Sequence, residues 1–248
     1  LVVGIQESAK LNNLIVFVKV TIVFLVIGFG FMYVTPSNWE PFIPPNDGTF
    51  GHFGLSGVVR AAGVIFFAYI GFDAVSTAAQ ETRNPQRNVP IGILGSLAVA
   101  TLLYIAVSLV LTGVVKYDLL HVPDPIAVAV DFMGEGLYWL RPLIKIGAIA
   151  GLTSVVMVLL FGQTRIFYSM SRDRMLPHKF AEVHTKFRTP VFATALTGVV
   201  AAFFAGIFPI GILGELVSIG TLLAFVIVCA GVLVLRYREP GLKRPFKA

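Results

Sequence analysis

The stretch Phe66 to Glu81 reads FFAYIGFDAVSTAAQE. It lies in the second of six apolar runs and places Gly71, Phe72 and Asp73 where a membrane-crossing helix would be deep in lipid. An acidic side chain at that depth costs about 2.5–3.5 kcal/mol on insertion scales, so such residues usually face a cavity or a partner. Glycine is the weakest helix former other than proline, which marks Gly71 as a place for the helix to break. A break leaves carbonyls before it, and N–H groups after it, without helical partners. Carbonyls accept from an ammonium group, and the N-terminus of the following half-helix favours an anion. A zwitterion suits a pair of helices broken in this way. Plainer readings stay open: a membrane glycine also marks close helix packing, and Asp73 is a good N-cap for a second half-helix.

Outward from this stretch the chain keeps the same character. Its 248 residues are 56% hydrophobic and 13% charged, with a mean hydropathy of +0.86. Soluble domains carry about 25% charged residues, and here the charges are swept into short segments between the apolar runs. A bilayer span needs about 20 apolar residues. The runs predict six transmembrane helices, at about 14–34, 57–80 (broken near 71–73), 90–115, 138–168, 190–208 and 213–235. A short helix outside the membrane is expected over about 123–134, started at Pro123. Basic segments are expected at 169–189 and at the tail 236–248. The fold class is all-α transmembrane, in a single membrane domain. The chain opens on Leu1 with no initiator methionine, which predicts a fragment of a longer protein.

Charge sets the expected orientation. With the N-terminus cytoplasmic, the inner segments collect Lys10, Arg83, Arg87, Arg165, Arg172, Arg174, Lys179, Lys186, Arg188 and the basic tail. The outer segments hold only Lys116 and Arg141, beside Glu40, Asp47, Asp118, Asp124, Asp131 and Glu135. The positive-inside rule then puts both ends in the cytoplasm. It also explains the net charge of +6 without nucleic acid. Arg60 and Glu215 fall near the outer ends of their runs, and are read as a snorkelling side chain and an interfacial or first-turn acid. The four histidines lack metal-ligand spacing, and no H-E-x-x-H, paired aspartates or Ser–His pair lies within the runs. An enzyme, a metal site and a cofactor are therefore not expected. Cys229 is the single cysteine.

Three stretches carry a family resemblance: GIQESAKLNNLIVFVK (4–19), FFAYIGFDAVSTAAQETRNPQRNVPIGI (66–93) and GLTSVVMVLLFGQTRIFYSMSRDRMLP (151–177). They resemble, in order, the approach to the fifth span, the sixth span with its loop, and the eighth span of amino acid–polyamine–organocation (APC) permeases, nearest the cationic amino acid transporter-like branch. The resemblance implies a five-plus-five inverted-repeat fold, of which this chain would hold spans five to ten. It implies secondary active transport of an amino acid across the plasma (cell inner) membrane. Backbone carbonyls of Phe67, Ala68 and Ile70 would hold the substrate ammonium group beside Gly71 and Phe72, with Phe67 also at the outer aromatic gate. Asp73 matches a position linked to proton coupling or substrate handling. The family's first span, which holds the substrate carboxylate, is not in this chain.

Lys19 sits about six residues into its run, roughly 9 Å deep at 1.5 Å per residue. One reading has it snorkel to the interface. The resemblance implies another, in which its ammonium group replaces a bound sodium ion. Thr153 and Ser154, in the fourth run, would meet it there, or would instead bond back to carbonyls one turn earlier. Transport is then expected to be sodium-independent, by proton coupling or exchange, with Lys19 or Asp73 carrying the proton. An amino acid-sensing protein or a channel on the same fold is the alternative. Expected partners are a cationic or small neutral amino acid, protons and the lipid bilayer.

Overall fold

The computed structural model describes residues 5–72, 74–77, 82–122, 124–185 and 189–242. The described residues form helices and turns, without strands. The α-helices are α1 (Ile5–Phe31), α2 (Gly54–Ile65), α3 (Ala74–Thr77), α4 (Pro85–Val114), α5 (Pro125–Phe132), α6 (Leu140–Arg172), α7 (Val191–Ile207) and α8 (Ile210–Arg238). Among the described residues, α4, α6, α8 and most of α1 are long and apolar enough to cross a membrane. The shorter α2 and α7 are apolar helices of 12 and 17 residues.

Helix ends and apolar runs differ for a physical reason. Hydropathy marks the lipid-compatible middle of a helix, whereas backbone hydrogen bonding continues into polar ends. Thus α6 runs on to Arg172, and α4 begins at Pro85 rather than Pro90. Pro85 suits a first helical position because it lacks an N–H. Just ahead, Asn84 takes a positive φ of 50° and its carbonyl accepts from Arg87 and Asn88. The short helix α5 starts at Pro125, where the Asp124 side chain caps it by accepting from the Ala127 N–H at 3.3 Å. Pro123 lies outside the described residues.

The chain divides into two compact units. The first comprises residues 1–44 and 97–197. Its core is formed by Ile22 and Val26 of α1, Val110, Val114 and Val115 at the end of α4, Ala129, Val130 and Met133 around α5, and Leu137, Leu140 and Ile144 at the start of α6. Small residues bring the backbones together, as is usual where lipid supplies no hydrophobic drive between helices. A Cβ on Gly147 would meet the Ile22 Cδ1 at 2.8 Å, and one on Gly30 would overlap Val110. The segment 35–39 closes the end of α4. The Thr35 N–H (2.9 Å) and the Asn38 Nδ2 (2.8 Å) both donate to the Gly113 carbonyl, and the Trp39 indole donates to the Leu109 carbonyl at 3.2 Å. The Gly113 carbonyl is one that a helix end leaves without a helical partner, and the indole bond adds a tether one turn further back. Arg141 pairs with Asp131 and lies over the Tyr138 ring at 4.2 Å, which ties α5 to the start of α6.

The second unit comprises residues 45–96 and 198–248. Its loop 46–56 is wound around Asn46, whose Nδ2 donates to the Thr49 and Phe53 carbonyls and to the Ser56 hydroxyl. Asp47 accepts from the Thr49 N–H at 3.0 Å and pairs with the His52 Nδ1 at 2.8 Å. The Thr49 N–H first, and His52 second, hold the Asp47 carboxyl below its ordinary range. In this unit α8 has no buried residue, and Ile210, Leu216, Ile219 and Val226 are exposed. Apolar surface on this scale is foreign to soluble monomers and natural for a helix solvated by lipid or covered by further helices.

Candidate functional site

The second unit contains an interrupted helix. Regular α2 stops at Ile65, and Phe66–Tyr69 tightens into a 3₁₀ turn. Gly71 then takes φ +119°, a conformation that side-chain-bearing residues rarely adopt. Helix resumes at Ala74 for a single turn. The interruption covers Phe66 to Phe72, and so includes Phe67, Ala68, Ile70 and Gly71. Asp73 lies outside the described residues, as does the side chain of Phe67, so neither the acidic role nor the aromatic gate has a geometry here. On the flank, Phe225 of α8 stacks against Phe72 (5.5 Å between centroids, 29°) and meets Phe66 edge-on (5.9 Å, 87°). Aromatic pairs of this kind add about 0.5–1.5 kcal/mol beyond their area. They brace both sides of the interruption against one helix.

The first unit places the other sequence-derived candidates on the α1–α6 interface. Lys19 is half-buried, with its stem along Gly151: a Cβ there would sit 4.0 Å from the Lys19 Cδ. Ser154, one turn further along α6, is 3% exposed and donates to the Asn12 Oδ1 at 2.6 Å. Thr153 is exposed and bonds back to the Ile149 carbonyl at 2.8 Å. So Lys19 and Ser154 share the interface, while Thr153 takes the back-bonded alternative. The sequence reading missed Asn12. Its signal was spacing: seven residues before Lys19, it occupies the same helix face. The interface is thus graded, apolar at Ile22 and Gly147 and polar at Asn12 and Ser154. Among the described residues there is no metal-binding group of histidine, cysteine and acids.

The amino acid permease family model matches the chain over residues 1–248. The methylthioribose transporter of Bacillus subtilis (strain 168) is 48% identical, over 98% of this chain and 51% of its own length. The branched-chain amino acid permease BcaP of the same organism is 43% identical over 100% and 51%, respectively. The chloroplastic cationic amino acid transporter 9 of Arabidopsis thaliana is 41% identical over 95% and 40%. The chain therefore spans about half the length, or less, of these curated relatives. With its all-helical fold and its interrupted apolar helix, the chain belongs to the amino acid permease family, within the APC superfamily and its cationic amino acid transporter-like branch.

Proposed function

We propose that this chain is the part of a secondary amino acid transporter that holds the substrate's ammonium group. The observation that carries the reading is the interruption at Phe66–Phe72, with φ +119° at Gly71. A helix interrupted within an apolar run turns backbone dipoles toward a ligand, the usual way transporters read the common part of an amino acid. Phe67, Ala68 and Ile70 would supply carbonyls, Gly71 the opening, and Phe72 an apolar wall. Lys19, seated at Gly151 on the helix interface that also holds the Ser154–Asn12 bond, supports a resident cation between α1 and α6 in place of sodium. Uptake would then be driven by protons or by exchange, with Asp73 the other candidate proton carrier. The segregation of Lys and Arg supports a plasma-membrane protein with both ends of this chain cytoplasmic.

The test is uptake by the full-length permease in proteoliposomes, with a panel of twenty amino acids competing against labelled leucine and lysine. Uptake should saturate, respond to a pH gradient or internal amino acid, and ignore sodium. A strict requirement for a sodium gradient would remove the role given to Lys19. The 48% identical methylthioribose transporter favours a second substrate reading, a neutral thiosugar. Such a ligand has no ammonium group for the carbonyls, so uptake of labelled methylthioribose that no amino acid inhibits, with no uptake of leucine or lysine, would replace the first reading with the second.

A further inference from the structure

Within the second unit, α2 and α8 flank an open cleft of about 600 Å³. It is lined on α2 by Arg60 and Gly63, and on α8 by Gly211, Gly214, Glu215 and Ser218, among apolar neighbours. The spacing of these residues is helical, so each set forms one face. Three glycines keep the cleft open: a Cβ on Gly63, Gly211 or Gly214 would meet nothing within 4 Å. Two opposite charges share this largely apolar space, and among the described residues neither Arg60 nor Glu215 makes an ion pair. Arg60 is also seated, since its stem lies against Gly51, where a Cβ would come within 2.8 Å of the Arg60 Cδ. The α8 face continues beyond the cleft to Phe225, which stands against Phe66 and Phe72 at the interrupted helix.

We infer that this cleft is a second, shallower site for the amino acid zwitterion, one that loads the interrupted helix. Arg60 takes the carboxylate in a charge-assisted pair, and Glu215 takes the ammonium group. The two charges recognise what every amino acid shares, and the apolar walls accept the side chain. The inference rests on the transport reading above and adds residues that reading does not use. Phe66 lies six positions after Arg60, a path of about 9 Å at 1.5 Å per residue. The zwitterion would move down the α8 face to the aromatic pair and there exchange side-chain charges for backbone dipoles.

The test uses the full-length permease in proteoliposomes, with labelled leucine and two competitors. Isopentylamine is leucine without its carboxylate, and 4-methylpentanoate is leucine without its amine. In Arg60→Gln and in Glu215→Gln the KM for leucine should rise about tenfold with Vmax within about twofold, the effect of losing one charge-assisted contact. Arg60→Gln should weaken competition by the acid and leave the amine unaffected, and Glu215→Gln should do the reverse. Arg60→Lys should retain most of the affinity, which separates lost charge from lost folding. Equal losses for all three compounds in both variants would mean that the two charges serve each other, as a gate or strut, and would overturn the site. So would unchanged variants, or wild-type protein with which neither analogue competes. Wild-type protein that neither binds nor takes up leucine or lysine would overturn the transport reading and this site with it.

Discussion

Ser154 and Thr153 are chemically alike and adjacent, yet the structure gives them different tasks. Ser154 is buried and bonds across helices to Asn12, while Thr153 bonds within its own helix and is exposed. Interhelical side-chain bonds in membranes average about 0.6 kcal/mol and reach about 1.7. Ser154→Ala should therefore lower the thermal midpoint in detergent measurably, and Thr153→Val should leave it nearly unchanged; equal shifts would show that the Asn12 bond contributes nothing. A second prediction concerns Asp47, whose carboxyl is held low by the Thr49 N–H and then by His52. A group with a depressed folded-state pKa stabilises fully above its unfolded value and loses that contribution as pH falls through the folded one. The loop 46–56 should thus keep the Asp47 contacts above about the ordinary carboxylate value of 3.8 and lose them in more acid solution. A carbon-detected NMR titration of Asp47 with a midpoint at or above 3.8 would contradict this.

The helices are where backbone geometry decides behaviour. Gly71 holds φ +119°, and alanine there would be strained whatever space surrounds it, at a cost of about 1–3 kcal/mol. Gly71→Ala should straighten or displace the interruption and reduce uptake strongly, with amounts in the membrane matched by immunoblot. Full activity in that variant would separate the interruption from transport. Gly113 tests packing instead. A Cβ there would lie 2.9 Å from the Val34 Cγ1 and 3.0 Å from the Trp39 Cζ2. Both neighbours are stiff, and overpacking costs about 1–3 kcal/mol. Gly113→Ala should push the 35–39 segment off the end of α4, lengthen the Asn38 bond to the Gly113 carbonyl and shift Trp39 fluorescence.

For the molecule as a whole, the decisive property is the mismatch between abundant apolar surface and a small buried core. Leu14, Phe17, Phe24, Leu102, Ile149, Leu152, Phe203 and Ile227 are all exposed. In water such a surface would aggregate, whereas in a bilayer it is the solvated face. The orientation proposed from charge can be read chemically, by labelling introduced cysteines. In a cysteine-free background of the full-length protein, which includes Cys229→Ala, a cysteine placed at Lys116 should react with an impermeant maleimide on intact cells. One placed at Arg83 should react only after permeabilisation. The opposite pattern would invert the proposed topology.

What the amino-acid sequence determined by itself is the solvent and the class of fold. Runs of about 20 apolar residues admit only helices, because lipid offers backbone groups no partner, and Gly71 beside Asp73 marks the weak point in one of them. The sequence did not determine which side of each helix meets which neighbour. Helices that are apolar all round carry no amphipathic phase, so Thr153 and Ser154 looked interchangeable, Asn12 was marked only by its spacing from Lys19, and Arg60 and Glu215 read as two unrelated interfacial charges. Only the tertiary structure set those rotations. It did so through contacts between residues distant in the chain: Gly147 admitting Ile22, Gly151 admitting the stem of Lys19, Phe225 stacking on Phe72, and the glycines of α2 and α8 leaving the cleft open between two charges.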